Sequence, residues 1–406
     1  MIQSHELVKI EDYEPYIGAQ AVDRILKKAK PFQGLHITNV SSTYYGGGVA
    51  ALLSSFTLLM NSIGIKSGWR VIQGAPDFFG ITKKMHNALQ GGKINLTERK
   101  KKIYEDIIYE NSIRNHFDHD AIIVHDPQPL PLIRHYKKKM VWIWRCHIDL
   151  TRPNRKLWSY LKTFVEQYDA VIFSLKEYRQ KLNTPQYFFL PAIDPFNYKN
   201  RDLTKQEMKE RLHHYKIPTD LPLVVQISRF DRWKDPEGVV QAFKMARRKI
   251  KATLVLVGNA ATDDPEGQDV FQSLLKHREK RIIILSYGDD SALINTLQRQ
   301  AAVVLQKSIR EGFGLTVTEA LWKGTPVIGG NVGGIRYQIE DGKSGFLVSS
   351  VAEAADRIVN VIKDKNLREE MGTKARETVR EKFLLPRYLE QYLDLFHSLH
   401  LSHKLA

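Results

Sequence analysis

Short apolar runs alternate with helix-period segments in two successive series, and this alternation limits the fold more than any other feature of the chain. In the first series GLHITNV (34–40), DAIIVHD (120–126), MVWIWR (140–145), DAVIFS (169–174) and QYFFLP (186–191) read as strands, with helical segments such as 49–63 and 155–168 between them. Residues 192–200, AIDPFNYKN, break the pattern with Pro and Asn. LPLVVQISR (221–229), ATLVLVG (252–258), RIIILSY (281–287), AAVVLQ (301–306), TPVIGG (325–330) and GFLVSS (345–350) then form a second series, separated by helical segments at 235–248, 268–280, 290–300 and 316–323. Apolar strands without polar alternation belong in parallel sheets covered by helices on both faces. At 406 residues the chain exceeds one compact core. The expectation is an α/β protein with two doubly wound, Rossmann-like domains, 1–200 and 201–385, followed by a helical tail, 386–406. Such sheets bind ligands at the carboxyl ends of their strands, so two of them facing each other could line a central cleft. The tail carries Tyr388, Tyr392, Leu395 and Leu399 on one stripe.

Composition removes several function classes. One cysteine, Cys146, excludes an internal disulfide framework and fits a reducing compartment. No apolar run approaches the roughly 20 residues of a membrane-spanning helix. The first residues, MIQSHELVKIEDYEPYIG, lack the basic-then-apolar order of a signal peptide. A cytoplasmic protein without a membrane partner is expected. The net charge of +16 attracts polyanions. The densest basic runs, ERKKK (98–102) and HYKKK (135–139), read as a solvated helix face and a loop, without interleaved aromatics or a nucleic-acid module, so no nucleic-acid partner is expected. A small anionic substrate needs only a few of these charges.

Four stretches carry candidate chemistry. In SIREGFGLTVTEAL (308–321) a strand runs through Gly312, Phe313 and Gly314 into a helix whose first N–H groups, near Leu315 and Thr316, favour a phosphate. Glu311 lies on the loop and Glu319 about one turn into the helix, placed to grip polyols on either side. Glu319 also fits a capping box with Thr316, and Glu311 alone could be a solvated loop residue. In SRFDRWKDP (228–236) Arg229 and Lys234 bracket a strand-to-helix turn where two cations could hold a diphosphate; ordinary surface charge is the competing reading. Asp235 and Pro236 suit an N-cap and first helical residue. In YYGGGV (44–49), Gly46 and Gly47 allow a backbone to approach a phosphate, without the spacing of a Walker loop. In WRCHID (144–149), His147 sits just past a strand, and Cys146 points the opposite way into the core. The His and Cys residues show no metal-ligand spacing.

Together, Glu311-x7-Glu319, the Arg229–Lys234 pair, the Gly46–Gly47 turn and His147 resemble the retaining glycosyltransferases of the GT-B fold, family 4, in order and spacing over nearly the whole chain. The variants HDPQP (125–129), WRCHID and QKSIREGFG (306–314) resemble the subgroup that joins the glucosyl group of a nucleotide-glucose to free glucose, making trehalose with retained configuration. The resemblance implies that Arg229 and Lys234 hold the donor diphosphate, Glu319 the ribose and Glu311 the sugar hydroxyls, with His147 beside the sugar's C6. It places Gly46, Gly47, Gly312–Thr316 and Leu285 around the donor, with the base near 285–288. It also implies a last helix crossing back to the first domain. Arg229, Lys234, Glu311 and His147 form the implied catalytic set. The substrate is UDP- or ADP-glucose, no cofactor is tightly bound, Mg2+ is an optional diphosphate counter-ion, and a homodimer is admissible.

For the acceptor, free glucose, the candidates are Asp126, Gln128 and Arg145. Asp126 precedes Pro127, so a helix-capping role competes with ligand binding. No carboxylate is clearly placed as a nucleophile on the far face of the sugar, and the resemblance implies same-face attack instead, with domain closure excluding water. The competing readings are a sucrose- or glycogen-synthase-like enzyme with another acceptor and a non-catalytic nucleotide-sugar or nucleic-acid binding protein.

Overall fold

The structure is a computed structural model and describes residues 7–45, 47–136, 139–258, 265–286 and 290–401. Gly46 and residues 287–288, which the sequence places near the donor, lie outside the described residues. The chain divides into two compact units, one running to Pro191 and resuming at Leu385, the other Ala192–Leu384.

The first unit holds β1 (His36–Ser41), β2 (Lys66–Val71), β3 (Ala121–His125), β4 (Val141–Arg145), β5 (Ala170–Phe173) and β6 (Gln186–Phe188). They form one sheet in the order β2-β1-β3-β4-β5-β6, and every pairing is parallel. Every residue of β3 and β5 is buried, because helices cover both faces. Trp142, Trp144, Phe164 and Phe173 fill one layer of the core, and Cys146 is a buried free thiol. β2, KSGWRV, was not legible as a strand. It is an edge strand, half-exposed along most of its length, so burial did not demand an apolar composition. The helix Glu98–Arg114 carries the ERKKK run on its first turns, as expected of a solvated face.

The last helix spans Leu385–Ser398, and residues 402–406 of the expected tail lie outside the described residues. It packs into the first unit through Tyr388, which lies 5.1 Å from the Phe56 ring, and Tyr392, 5.3 Å from Phe189. Glu390 pairs with Arg24 and Lys28 at 2.7 and 2.9 Å; on an exposed face such pairs add register more than stability.

The second unit holds β7 (Leu223–Ile227), β8 (Thr253–Gly258), β9 (Ile282–Ser286), β10 (Ala301–Gln306), β11 (Val327–Gly330) and β12 (Gly345–Val348), in the order β12-β11-β10-β7-β8-β9. All pairings are again parallel. Residues 192–200, expected to close the first half, belong here. Ile193 donates its N–H to the Phe383 carbonyl at 2.8 Å, and Arg299 donates to the Asn200 carbonyl at 3.0 Å.

Both sheets reverse their winding once, between β1 and β3 in the first unit and between β7 and β10 in the second. Just beyond the carboxyl ends of adjacent strands at such a point, the loops diverge and leave a crevice.

Candidate active site

In the second unit the chemistry-bearing loops follow β7 and β10, the two strands at the reversal. After β7 the chain passes Arg229 and makes a tight turn. The Asp231 carboxylate accepts from the Trp233 N–H at 2.8 Å with one oxygen and pairs with the Arg229 guanidinium at 3.3 Å with the other. Asp231 is therefore the residue that aims Arg229. Asp235 adopts a left-handed conformation, φ 49°. Its carboxylate caps the helix Pro236–Ala246 by accepting from Gly238 N at 3.1 Å, as the Asp-Pro pair suggests. Arg232 begins a short 3-10 turn, Arg232–Lys234.

The loop after β10 meets this turn. Ile309 donates its N–H to the Trp233 carbonyl at 2.8 Å, and Lys307 pairs with Asp235. The Lys234 ammonium lies 2.5 Å from the Glu311 carboxylate. Ser308 Oγ also donates to that carboxylate, at 3.1 Å. Gln226, inside β7, donates to the Lys234 carbonyl at 2.9 Å. Glu311 is 8% exposed, so it is not the solvated loop residue that its position alone allows.

Gly314 is the N-cap of the helix Leu315–Trp322, with φ 88° and no side-chain cap. A Cβ there would lie 3.1 Å from Glu311 Cγ, so glycine serves both the left-handed backbone and the close approach of the carboxylate. Gly334 is a second close approach, since its Cβ would stand 2.4 Å from Phe313 Cα. The Gln338 amide ties the loop down by donating to the Phe313 carbonyl at 2.6 Å.

With Gly314 as N-cap, Thr316 falls inside the helix and the capping box does not form. Glu319 is buried at 6% exposure, beside Gln298 Nε2 at 3.4 Å. Lys323, one turn on, donates to the Glu319 carbonyl at 3.1 Å and to Asn200 Oδ1 at 2.9 Å. Burial pulls its amine down to about 7, against the opposing pull of the Glu319 charge. Leu285 is half-buried near the end of β9, an edge strand.

In the first unit Gly47 opens the helix Gly47–Ser62 with φ 76°. His125 ends β3 and His147 follows β4; their rings stack at 5.4 Å with an interplanar angle of 17°. His125 Nδ1 and His147 Nε2 are 3.0 Å apart, and His125 Nε2 lies 3.0 Å from Asn39 Oδ1. Asp126, also left-handed at φ 62°, accepts the His147 backbone N–H at 2.8 Å. It does not cap a helix, because the following 3-10 turn, Leu130–His135, has Pro129 at its N-cap. Burial raises the Asp126 carboxyl to about 6, against its hydrogen bond from His147 and the Arg145 charge. Gln128 presents a buried amide oxygen with no hydrogen-bond partner among the described residues.

Arg145 departs from expectation. It is wholly buried, donates to the Phe189 carbonyl at 2.8 Å and Ser174 Oγ at 3.3 Å, and packs its guanidinium 5.9 Å from the Tyr388 ring centre. It supports the histidine pair electrostatically and is not an exposed acceptor ligand. An arginine in the otherwise apolar strand VWIWR signals a polar task, but not whether it faces ligand or core.

Among the described residues, no group of three or more His, Cys, Asp or Glu could hold a metal ion, and no helix is long and apolar enough to cross a membrane.

Residues 39–180 match the family described as trehalose synthase, N-terminal domain, and residues 208–378 match glycosyl transferases group 1. The chain is 44% identical over 400 residues to the trehalose synthase of Pyrococcus horikoshii, covering 96% of each chain. It is 36% identical to that of Rubrobacter xylanophilus, covering 95% of this chain and 96% of the other. A solved sucrose-phosphate synthase from Thermosynechococcus elongatus shares the fold with TM-score 0.70 at 18% identity, over 90% of this chain and 99% of that one. With 96% of its length aligned to such a relative, the chain belongs to the trehalose synthase family of group 1, GT-B-fold glycosyltransferases.

Proposed function

We propose that the protein transfers a glucosyl group from a nucleoside-diphosphate glucose to free glucose with retention, forming α,α-trehalose. The observation that carries this reading is the 44% identity over 96% of both chains to a trehalose synthase, supported by the intact set Arg229, Lys234, Glu311, Glu319 and His147.

The donor's diphosphate falls to the second unit. Breaking the anomeric bond leaves extra negative charge on the diphosphate. Arg229, aimed by Asp231, Lys234 and the N-terminus of the helix Leu315–Trp322 are fixed positive groups that stabilise this charge without reorganising. Lys234 enters paired with Glu311, so a bound donor redistributes an existing ion pair: phosphate oxygens take up the ammonium, and donor sugar hydroxyls bond to the carboxylate. Glu319, held beside Gln298 and freed from capping, accepts from ribose hydroxyls. Any Mg2+ would ride on the diphosphate.

The hexose chemistry falls to the first unit, with His147 beside a sugar hydroxyl. Asp126 and the partnerless oxygen of Gln128 accept from the acceptor glucose. Attack on the donor's own face keeps the α configuration: the acceptor's anomeric oxygen bonds to C1 as the C1–O–phosphate bond breaks, and its proton passes to the departing phosphate oxygen. Because one acetal-type C1–O bond is exchanged for another, the reaction should run in both directions.

Incubation with a panel of nucleotide-glucoses and free sugars tests the reading. A disaccharide formed only with glucose as acceptor supports it. Preferred transfer to fructose, a sugar phosphate or a glucan would replace the acceptor, and binding of nucleotide-glucose without turnover would favour a sensor.

A further inference from the structure

Three polar side chains at the β1/β3 reversal form a chain with a fixed order of donors and acceptors. Asn39 and His125 lie on one face of the sheet: Asn39 is in register with Ile123, and His125 is two residues further along the same strand. Both are almost fully buried.

The order can be read from the Asn39 end. Its Nδ2 faces the Gly68 carbonyl at 3.3 Å and Ser67 Oγ at 3.5 Å. A carbonyl only accepts, so the amide NH2 points there and Oδ1 faces His125. His125 Nε2 must then carry the proton. Burial and the Arg145 charge keep His125 neutral, lowering it to about 3, so its Nδ1 holds a lone pair. The partner of that lone pair is His147 Nε2, which must therefore be the N–H. Burial, Arg145 and His125 also keep His147 neutral, leaving its proton on Nε2 and a lone pair on Nδ1. His147 is half-buried, and Nδ1 has no hydrogen-bond partner among the described residues.

We propose that Asn39 and His125 are positioning residues that lock His147 as the Nε2–H tautomer, so that its Nδ1 accepts a hydrogen bond from a hexose hydroxyl. The role in catalysis rests on the glycosyl-transfer reading above; the tautomer does not. The second ring nitrogen of a functional histidine is commonly fixed by such a partner. Here the partner is a neutral amide acting through a second imidazole, so the arrangement sets the direction of the hydrogen bond without adding negative charge beside the sugar. The polarity has a consequence for the substrate: the contacted hydroxyl must donate, so fluorine in its place, which cannot donate, gains nothing over hydrogen.

The test uses the full chain, selectively 15N-labelled at histidine, with His147 assigned by its loss in His147→Gln. Wild type should show His147 protonated at Nε2. Asn39→Leu and His125→Leu should abolish the preference and lower kcat/KM about ten-fold or more, leaving the affinity for nucleoside diphosphate unchanged. His125→Gln offers a donor towards Asn39 and an acceptor towards His147, and should recover most of both. Among monodeoxy and monodeoxyfluoro hexoses, one position should be equally poor with hydrogen or fluorine in wild type, and that sensitivity should shrink in Asn39→Leu. An Nδ1–H signal for His147 in wild type, or an unchanged tautomer in folded Asn39→Leu and His125→Leu, overturns the proposal. If no glycosyl transfer occurs at all while the tautomer behaves as stated, the functional reading fails and the locking of His147 stands.

Discussion

Lys234 and Glu311 meet at 2.5 Å across the reversal of the second sheet, one from the loop after β7 and the other from the loop after β10. The pair joins the cation expected at the diphosphate to the carboxylate expected at the sugar, so each holds the other ready before the donor arrives.

Removing the cation should therefore do two things. Lys234→Ala strips a positive group from the leaving diphosphate, which should raise the barrier by about 2–4 kcal/mol. It also takes the Lys234 ammonium away from the 9% exposed Glu311 side chain, which should lower stability measurably, as when one partner of a buried pair is removed. Arg229 is more exposed, so Arg229→Ala should lower turnover with little change in urea midpoint. Near-wild-type turnover in both variants would remove them from the donor site.

Glu319 separates a structural role from a binding one. Since Gly314 caps the helix, Thr316→Ala and Glu319→Gln should each leave the melting temperature close to wild type. Glu319→Gln alone should weaken nucleotide binding in calorimetry. A drop in melting temperature with unchanged affinity would restore the cap.

Gly314→Ala should disturb backbone and site together. The left-handed conformation costs an L-residue about 1–2 kcal/mol, and the new methyl would press on Glu311. Denaturation should show that loss, with a larger fractional fall in turnover than in stability.

Stability should fall on the acid side of neutrality. His125 is held neutral down to about 3, against 6.5 for an ordinary histidine. Its contribution is complete above about 6.5 and is lost as pH falls towards 3, because the unfolded chain takes up the proton first. His147 is shifted the same way. Asp126 acts in the opposite sense: raised from 3.8 to about 6, it contributes stability that is full below 3.8 and is lost as pH rises through 6. Arg145 is the cation acting on all three. With two imidazoles against one carboxyl, urea unfolding between pH 6.5 and 4.5 should show declining stability, and His125→Gln should flatten the slope. An equally steep slope in that variant would locate the proton uptake elsewhere.

The strands were legible where burial on both faces forces an apolar run, as in AIIVH and AVVLQ, and illegible in β2, whose edge position lifts that demand. Arg229, Lys234, Glu311 and Glu319 stand out in the sequence because glycine, proline and a helix start mark their loops. The supports Gln298 and Gln338 come from other segments of the chain, so no local spacing announces them. His125 and Gln226 share one overlooked sign: a polar residue at or near the carboxyl end of an otherwise apolar strand. Arg145 bears the same sign and faces the core, so the sign finds the layer of the site without saying which side of it a residue serves.

The central claim is the bond that the protein makes, and proton NMR of the anomeric signals of the product, formed from a nucleoside-diphosphate α-glucose and 13C-labelled glucose, reads it directly. The account predicts one labelled and one unlabelled ring joined through both anomeric carbons, each with an α coupling and with no reducing end. A reducing disaccharide, a β coupling on the transferred ring, or no transfer to glucose from any nucleotide-glucose would contradict it.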